Sequence, residues 1–173
     1  MIPTDQIIAD LDTNTQKLVA SLSGFSPDEV IQKPNENTWS AAEVAAHLLR
    51  LDYAINRVLN APSADASRPY DAKMDVFKNA MASIDRAFSA PESMIPSATP
   101  KNIQYILDQI KGEREKIKTT IRTTDLTQIC LAFDHPYFGE FSKYEWIYFN
   151  ISHTERHLKQ LERIREQVCS DKT

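Results

Sequence analysis

An all-α four-helix bundle is the fold this chain predicts, on three observations. Apolar residues recur at helical spacing in four long segments. Only 3 glycines occur in 173 residues, which leaves little chain for tight β-turns. Two helix starts are spelled out as capping boxes, Ser40 with Glu43 and Ser142 with Glu145. Each is flanked by a hydrophobic staple, Trp39 with Val44 and Phe141 with Trp146.

The first long segment covers about Thr4–Leu22, with Ile7, Ile8, Leu11, Leu18, Val19 and Leu22 on one side. A short helical piece follows in "SPDEVIQK", where Ser26 caps, Pro27 takes the first helical position and Glu29 closes the box. "KPNENT" breaks the chain. The second long helix reads "TWSAAEVAAHLLRLDYAINRVLN", with Val44, His47, Leu48, Leu51, Ile55 and Val58 inward. Residues 61–98 are the least regular. They hold a loop, "APSADASRPYD", then Met74, Phe77, Met81, Ile84 and Phe88 at helical spacing, then a Pro-rich break. The third long helix is expected to begin near Thr99–Pro100 and to bury Ile103, Ile106, Leu107, Ile110, Ile117 and Ile121. After a loop, "DHPYFGEF", the fourth turns Trp146, Asn150, His153, His157, Leu161, Ile164 and Val168 inward and Glu155, Lys159, Glu162 and Glu166 to solvent. No repeat or boundary divides residues 1–173, which read as one domain of adequate size for a core.

Charge and composition exclude several functions. The net charge of −4, with Lys and Arg scattered among acids, supplies no basic footprint for nucleic acid. No Gly-rich phosphate loop is present. No apolar run approaches the roughly 18 residues of a membrane span, and the N-terminus does not read as a signal peptide. Cys130 and Cys169, far apart, look like reduced thiols in a cytoplasmic protein.

The chemistry lies in three histidines. His153 and His157 form H-x-x-x-H, so both imidazoles share a helix face with Cβ atoms about 5–6 Å apart. His47 sits in the apolar stripe of another helix. Three neutral imidazoles from two helices can hold a divalent metal with open coordination positions. The pair lacks the Glu of H-E-x-x-H, so a zinc-protease reading does not follow.

Other polar residues admit two readings each. Glu43 caps its helix or accepts a His N–H beside the metal. Asn150 orients water or substrate, or bonds across the bundle. Arg114 snorkels to the bundle edge or contacts an anionic ligand or cofactor. His135 tunes its loop or reaches the site. The aromatics Trp39, Tyr137, Phe138, Trp146 and Phe149 serve as staple, core and loop packing, or line a mouth to the metal.

"TWSAAEVAAHLLRLD" resembles the W-S-x-x-E-x-x-x-H-L opening of the second helix in the DinB-like superfamily, which includes YfiT-like proteins. "HPYFGEFSKYEWIYFNISHTERHLKQLERI" resembles its C-terminal H-P-x-F-G … E-W … H-x-x-x-H-L-x-Q signature, and "APESMIPS" is similar to one branch. The resemblance spans Ile7 to about Arg165. It implies an up-down-down-up bundle, a nickel or zinc ion held by His47, His153 and His157, and homodimers. Characterised relatives include thiol S-transferases and maleylpyruvate isomerases. The expected function is therefore metal-dependent transfer of a low-molecular-weight thiol to a small electrophile, or its hydrolysis, with Glu43 or Asn150 orienting or accepting protons. The alternatives are a non-catalytic metal-binding bundle serving binding, dimerisation or stress protection, and a metal-free bundle with three separately hydrogen-bonded histidines.

Overall fold

A computed structural model describes residues 2–83 and 91–170. Four long helices, α1 (Thr4–Ser23), α2 (Ala41–Leu59), α4 (Ile103–Thr123) and α5 (Lys143–Ser170), carry the fold, with a short α3 (Met74–Ala82) beside them. Two 3₁₀ turns, Glu29–Ile31 and Glu92–Met94, lie in the connections. Among the described residues the strand content is one antiparallel pair of two-residue strands, β1 (Ser63–Ala64) with β2 (Ile129–Cys130), in register Ser63 to Cys130. The helical positions expected at Ile84 and Phe88 lie outside the described residues.

Both α2 and α5 begin where their capping boxes put them. The Ser40 Oγ accepts from Glu43 N at 3.2 Å and the Glu43 carboxylate accepts from Ser40 N at 2.9 Å. Ser142 and Glu145 repeat the pattern at 3.0 and 2.9 Å. The third long helix starts later than expected: Asn102, not Thr99, is its cap, accepting from Tyr105 N at 3.0 Å. An Asn side chain there satisfies an orphan first-turn N–H.

Cross-helix bonds fix the direction of each helix. Asp10 meets Tyr148 and Lys17 meets Glu155, so α1 and α5 are parallel. Tyr53 meets Gln109 and Asn56 meets Glu113, so α2 and α4 are parallel. Asp12 meets Lys118 while Asn14 meets Arg114, so α1 opposes α4. His47 meets His153 while Asp52 meets Asn150, so α2 opposes α5. In chain order the bundle runs up, down, down, up. The main packing partners place the helices in the ring α1, α5, α2, α4.

The apolar core falls into two clusters. One includes Ile7, Leu11, Ile55, Ile117 and Phe149; the other includes Leu18, Leu22, Leu48, Ile110 and Leu161. Between them lies a buried polar layer to which all four helices contribute. Arg114 is 2% exposed and donates to Asp52 at 3.1 Å, Asn14 at 3.0 Å, Thr15 at 3.1 Å and Thr154 at 2.9 Å. Asn150 donates to the other Asp52 oxygen at 2.8 Å. Complete burial pushes the Asp52 carboxyl up, and the Arg114 charge and Asn150 N–H oppose that. The expectation that Arg114 snorkels outward is corrected here. An Asp, an Asn and two hydroxyls at one depth satisfy its fork internally. Glu155 is likewise less solvent-directed than expected, because it accepts from Asn14 and Lys17 of α1.

Replacing Arg114 with Met leaves Asp52 buried without its counter-charge. Stability in urea denaturation is expected to fall by about 3–5 kcal/mol. Adding Asp52→Leu to that variant should recover part of the loss, since no charge is then left unpaired.

Candidate metal centre

His47 lies two turns into α2, and His153 and His157 lie mid-way along α5, facing it across the antiparallel pair. His47 is 4% and His157 8% exposed, while His153 is partly open. The Nε2 of His153 is 2.9 Å from Nε2 of His47 and 2.9 Å from Nε2 of His157. One nitrogen from each ring falls within 4.8 Å of the others.

The other ring nitrogens determine which proton goes where. His47 Nδ1 is 2.9 Å from the Met94 carbonyl, which only accepts, so His47 donates from Nδ1 and turns a lone pair inward at Nε2. His157 Nδ1 donates to the Gln160 side-chain oxygen at 2.7 Å, which leaves the same lone pair on its Nε2. His153 can offer one N–H between two such lone pairs. At least one of the two 2.9 Å contacts therefore has no proton between its nitrogens. A divalent cation among the three nitrogens satisfies all of them, and the donor set suits zinc or nickel. His153 Nδ1 is buried and has no hydrogen-bond partner among the described residues.

Burial keeps these rings neutral, the form that binds metal. Desolvation pushes His157 down to about 3, with the charge of His47 adding to it. Desolvation and the neighbouring His157 and His47 push His153 well down. His47 is lowered by desolvation despite its bond to Met94.

The centre sits in the wall of a cavity of about 600 Å³. Trp39 packs against His47 at 5.0 Å and is stacked on His157 at 6.4 Å between ring centroids. Phe149 lies 5.5 Å from His153. His135 also lines the cavity, from the loop between β2 and α5, with its ring 4.6 Å from Phe149. Its Nδ1 accepts from Tyr137 N at 3.2 Å, and burial pushes it down to about 4. Of the aromatics with open roles, Trp39, Tyr137, Trp146 and Phe149 line this space.

The expected helpers stand elsewhere. Glu43 is curled back onto Ser40 and also accepts from Thr99 at 2.9 Å and pairs with Lys33 at 3.0 Å, so the Met94 carbonyl takes the His47 proton instead. Asn150 spends its N–H on Asp52, one of the two readings the sequence left open. Arg114 belongs to the buried layer and does not line the cavity. Cys130 is buried, and desolvation pushes its thiol up to about 11. Gln160 was not singled out, although its place three residues after His157 is a readable helical neighbour. Met94 contributes a backbone carbonyl, for which its side chain is no signal.

Residues 10–161 match the family model of the DinB superfamily. The uncharacterised protein YuaE of Bacillus subtilis is 25% identical over 153 residues, covering 85% of this chain and 90% of its own. Among solved structures, TT2238, described as a four-helix bundle protein, aligns with a TM-score of 0.59 at 19% identity, over 92% of this chain and 98% of its own. YfiT from Bacillus subtilis, described as "a probable metal-dependent hydrolase with an unusual four-helix bundle topology", aligns with a TM-score of 0.59 at 16% identity, over 94% and 86%.

The lowered histidines set an acid limit for the metal-free protein. A ring that is neutral when folded and ordinary when unfolded costs stability only where the unfolded chain takes up its proton. Stability is therefore full above about 6.5 and falls as pH drops toward 3 for His157 and toward 4 for His135. Each contributes at most about 1.4 kcal/mol per pH unit in its window. Urea midpoints from pH 7.5 to 4 should fall accordingly, and His157→Ala should flatten the slope.

Proposed function

The chain belongs to the DinB superfamily, and from that membership and its converging imidazoles we propose a metal-dependent hydrolase acting on a small electrophile. The observation that carries the reading is that three Nε2 atoms, two of them turning lone pairs inward, meet at the wall of a cavity rather than inside a closed core. A structural metal site closes its coordination with protein ligands, whereas a catalytic one keeps a position open toward substrate. His47, His153 and His157 would hold zinc or nickel, which would supply Lewis-acid activation of water and polarisation of the substrate.

The chain's own residues do the rest. Met94 and Gln160 take the Nδ1 protons of His47 and His157, which fixes the ring orientations and raises the basicity of Nε2. Trp39 and Phe149 flank the imidazoles and restrict water. His135, neutral at physiological pH, accepts the Tyr137 N–H at Nδ1, so its proton sits on Nε2. Glu43 and Asn150 act by position, one starting α2 correctly and the other setting α5 against it. A low-molecular-weight thiol would be activated in the same place, giving S-transfer with the same ligands.

Elemental analysis of chelator-free protein tests the reading. Near-stoichiometric zinc or nickel is expected in the wild type, with loss in His157→Ala and His153→Ala while the helical circular dichroism is kept. Absence of metal in the wild type after reconstitution would overturn it. Gln160→Ala should retain the site but weaken metal affinity by about ten- to a hundredfold in chelator competition.

A further inference from the structure

The cavity beside the histidines is polar at one end and mostly apolar along the rest, where His135 stands beside Phe149 and Trp146. Its α2 wall is a single stripe, His47, Leu51, Ala54, Ile55 and Val58, which spans about 16 Å at the helical rise per residue. Because α5 runs the other way, Phe149 and then Trp146 face that stripe as it leaves the histidines. The ring contacts trace the same path: His153 to Phe149 at 5.5 Å, Phe149 to Trp146 at 5.9 Å, and Trp146 to Phe133 at 6.0 Å.

Apart from His135, the polar side chains of the lining gather at the other end. Gln160 bonds His157 there, and Thr38 precedes the Trp39 that packs on His47. Among the described residues the one formal charge on the lining is Arg156, next to His157 in sequence, whose guanidinium donates to the Met81 and Ser83 carbonyls. Arg50, Asp52 and Arg57 of α2 do not line the cavity.

The geometry points to a single-tailed amphiphile as the ligand of this site: a polar or anionic head at the three histidines and an unbranched apolar tail laid along α2 toward Val58. A tail in that channel removes its methylenes from water at about 0.8 kcal/mol each. A compact polar electrophile would leave the apolar length unfilled. The volume, about 600 Å³, lies in the range of sites that enclose a molecule of this size. This deepens the hydrolase reading by naming its substrate class, and it takes the position of the reactive end from that reading.

Both tryptophans of the chain line the cavity, so their emission reports its contents directly. Unbranched carboxylates from acetate to dodecanoate, below their micellar concentrations, serve as probes on the protein as isolated and after chelation. Affinity should rise about fourfold per methylene and then level once the channel is full. Ala54, partly exposed and part-way along the stripe, is the place to shorten it. Ala54→Phe should bring the plateau several carbons earlier while short carboxylates bind as before; Ala54→Leu gives a milder version if the larger ring disturbs folding. Affinity independent of chain length, or an unchanged plateau in both variants, would overturn the inference. The measurement requires neither metal nor turnover, so its outcome is separate from that of the metal analysis.

Discussion

The depth at which α2 meets α5 is the constraint on which the site depends, and the buried polar layer sets it. Asp52 binds Asn150 across the antiparallel pair, and Arg114 binds Asp52 while reaching Asn14 on α1 and Thr154 on α5. A slip of α5 by one turn would move about 5.4 Å of helix past α2. It would break these bonds and strand a carboxylate or guanidinium in the interior, at a cost of several kcal/mol. Apolar side chains tolerate such slips more readily, because one Leu packs much like another. His47 and His153 lie about a turn from Asp52 and Asn150, so the layer that fixes the helices also brings the imidazoles together.

Topology is the second requirement. In a bundle whose long helices follow one another around the ring, the second and fourth are diagonal and parallel. Here the chain runs up, down, down, up, and the second and fourth long helices become antiparallel neighbours. Only then do the H-x-x-x-H face of α5 and the inward His47 of α2 share a wall. The connections bearing Met94 and His135 then reach the cavity from either side.

Much of this was legible in the sequence because it is periodic. The helix starts at Ser40 and Ser142 follow from local capping chemistry, and His47, His153 and His157 follow from their places in apolar stripes. The bundle's direction came from the family resemblance, since periodicity does not say which helices are neighbours. Arg114 was misplaced because a charge in an apolar stripe has two outlets, and its partners Asn14 and Asp52 come from other helices. A sign was nevertheless present: Asn14 lies in the gap between Leu11 and Leu18 of the first stripe. The third helix was begun too early because Thr99–Pro100 is itself a good start signal. The Met94 carbonyl was invisible, since backbone acceptors have no sequence signature.

The three imidazoles would be a poor way to build a core. Each neutral ring brings one donor and one acceptor, and burial without partners costs free energy that apolar residues of the same volume avoid. The bonds to Met94 and Gln160 satisfy the outer nitrogens of two rings and by doing so make the centre worse, because they aim lone pairs at a third ring. Hydrogen bonding among the three rings cannot relieve this; one proton does not serve two acceptors facing each other. A positive charge does, and a divalent ion does so without the proton that desolvation excludes from these rings. The arrangement is thus unfavourable as packing and favourable as a ligand set, and its position in a cavity wall leaves open space beside the three nitrogens.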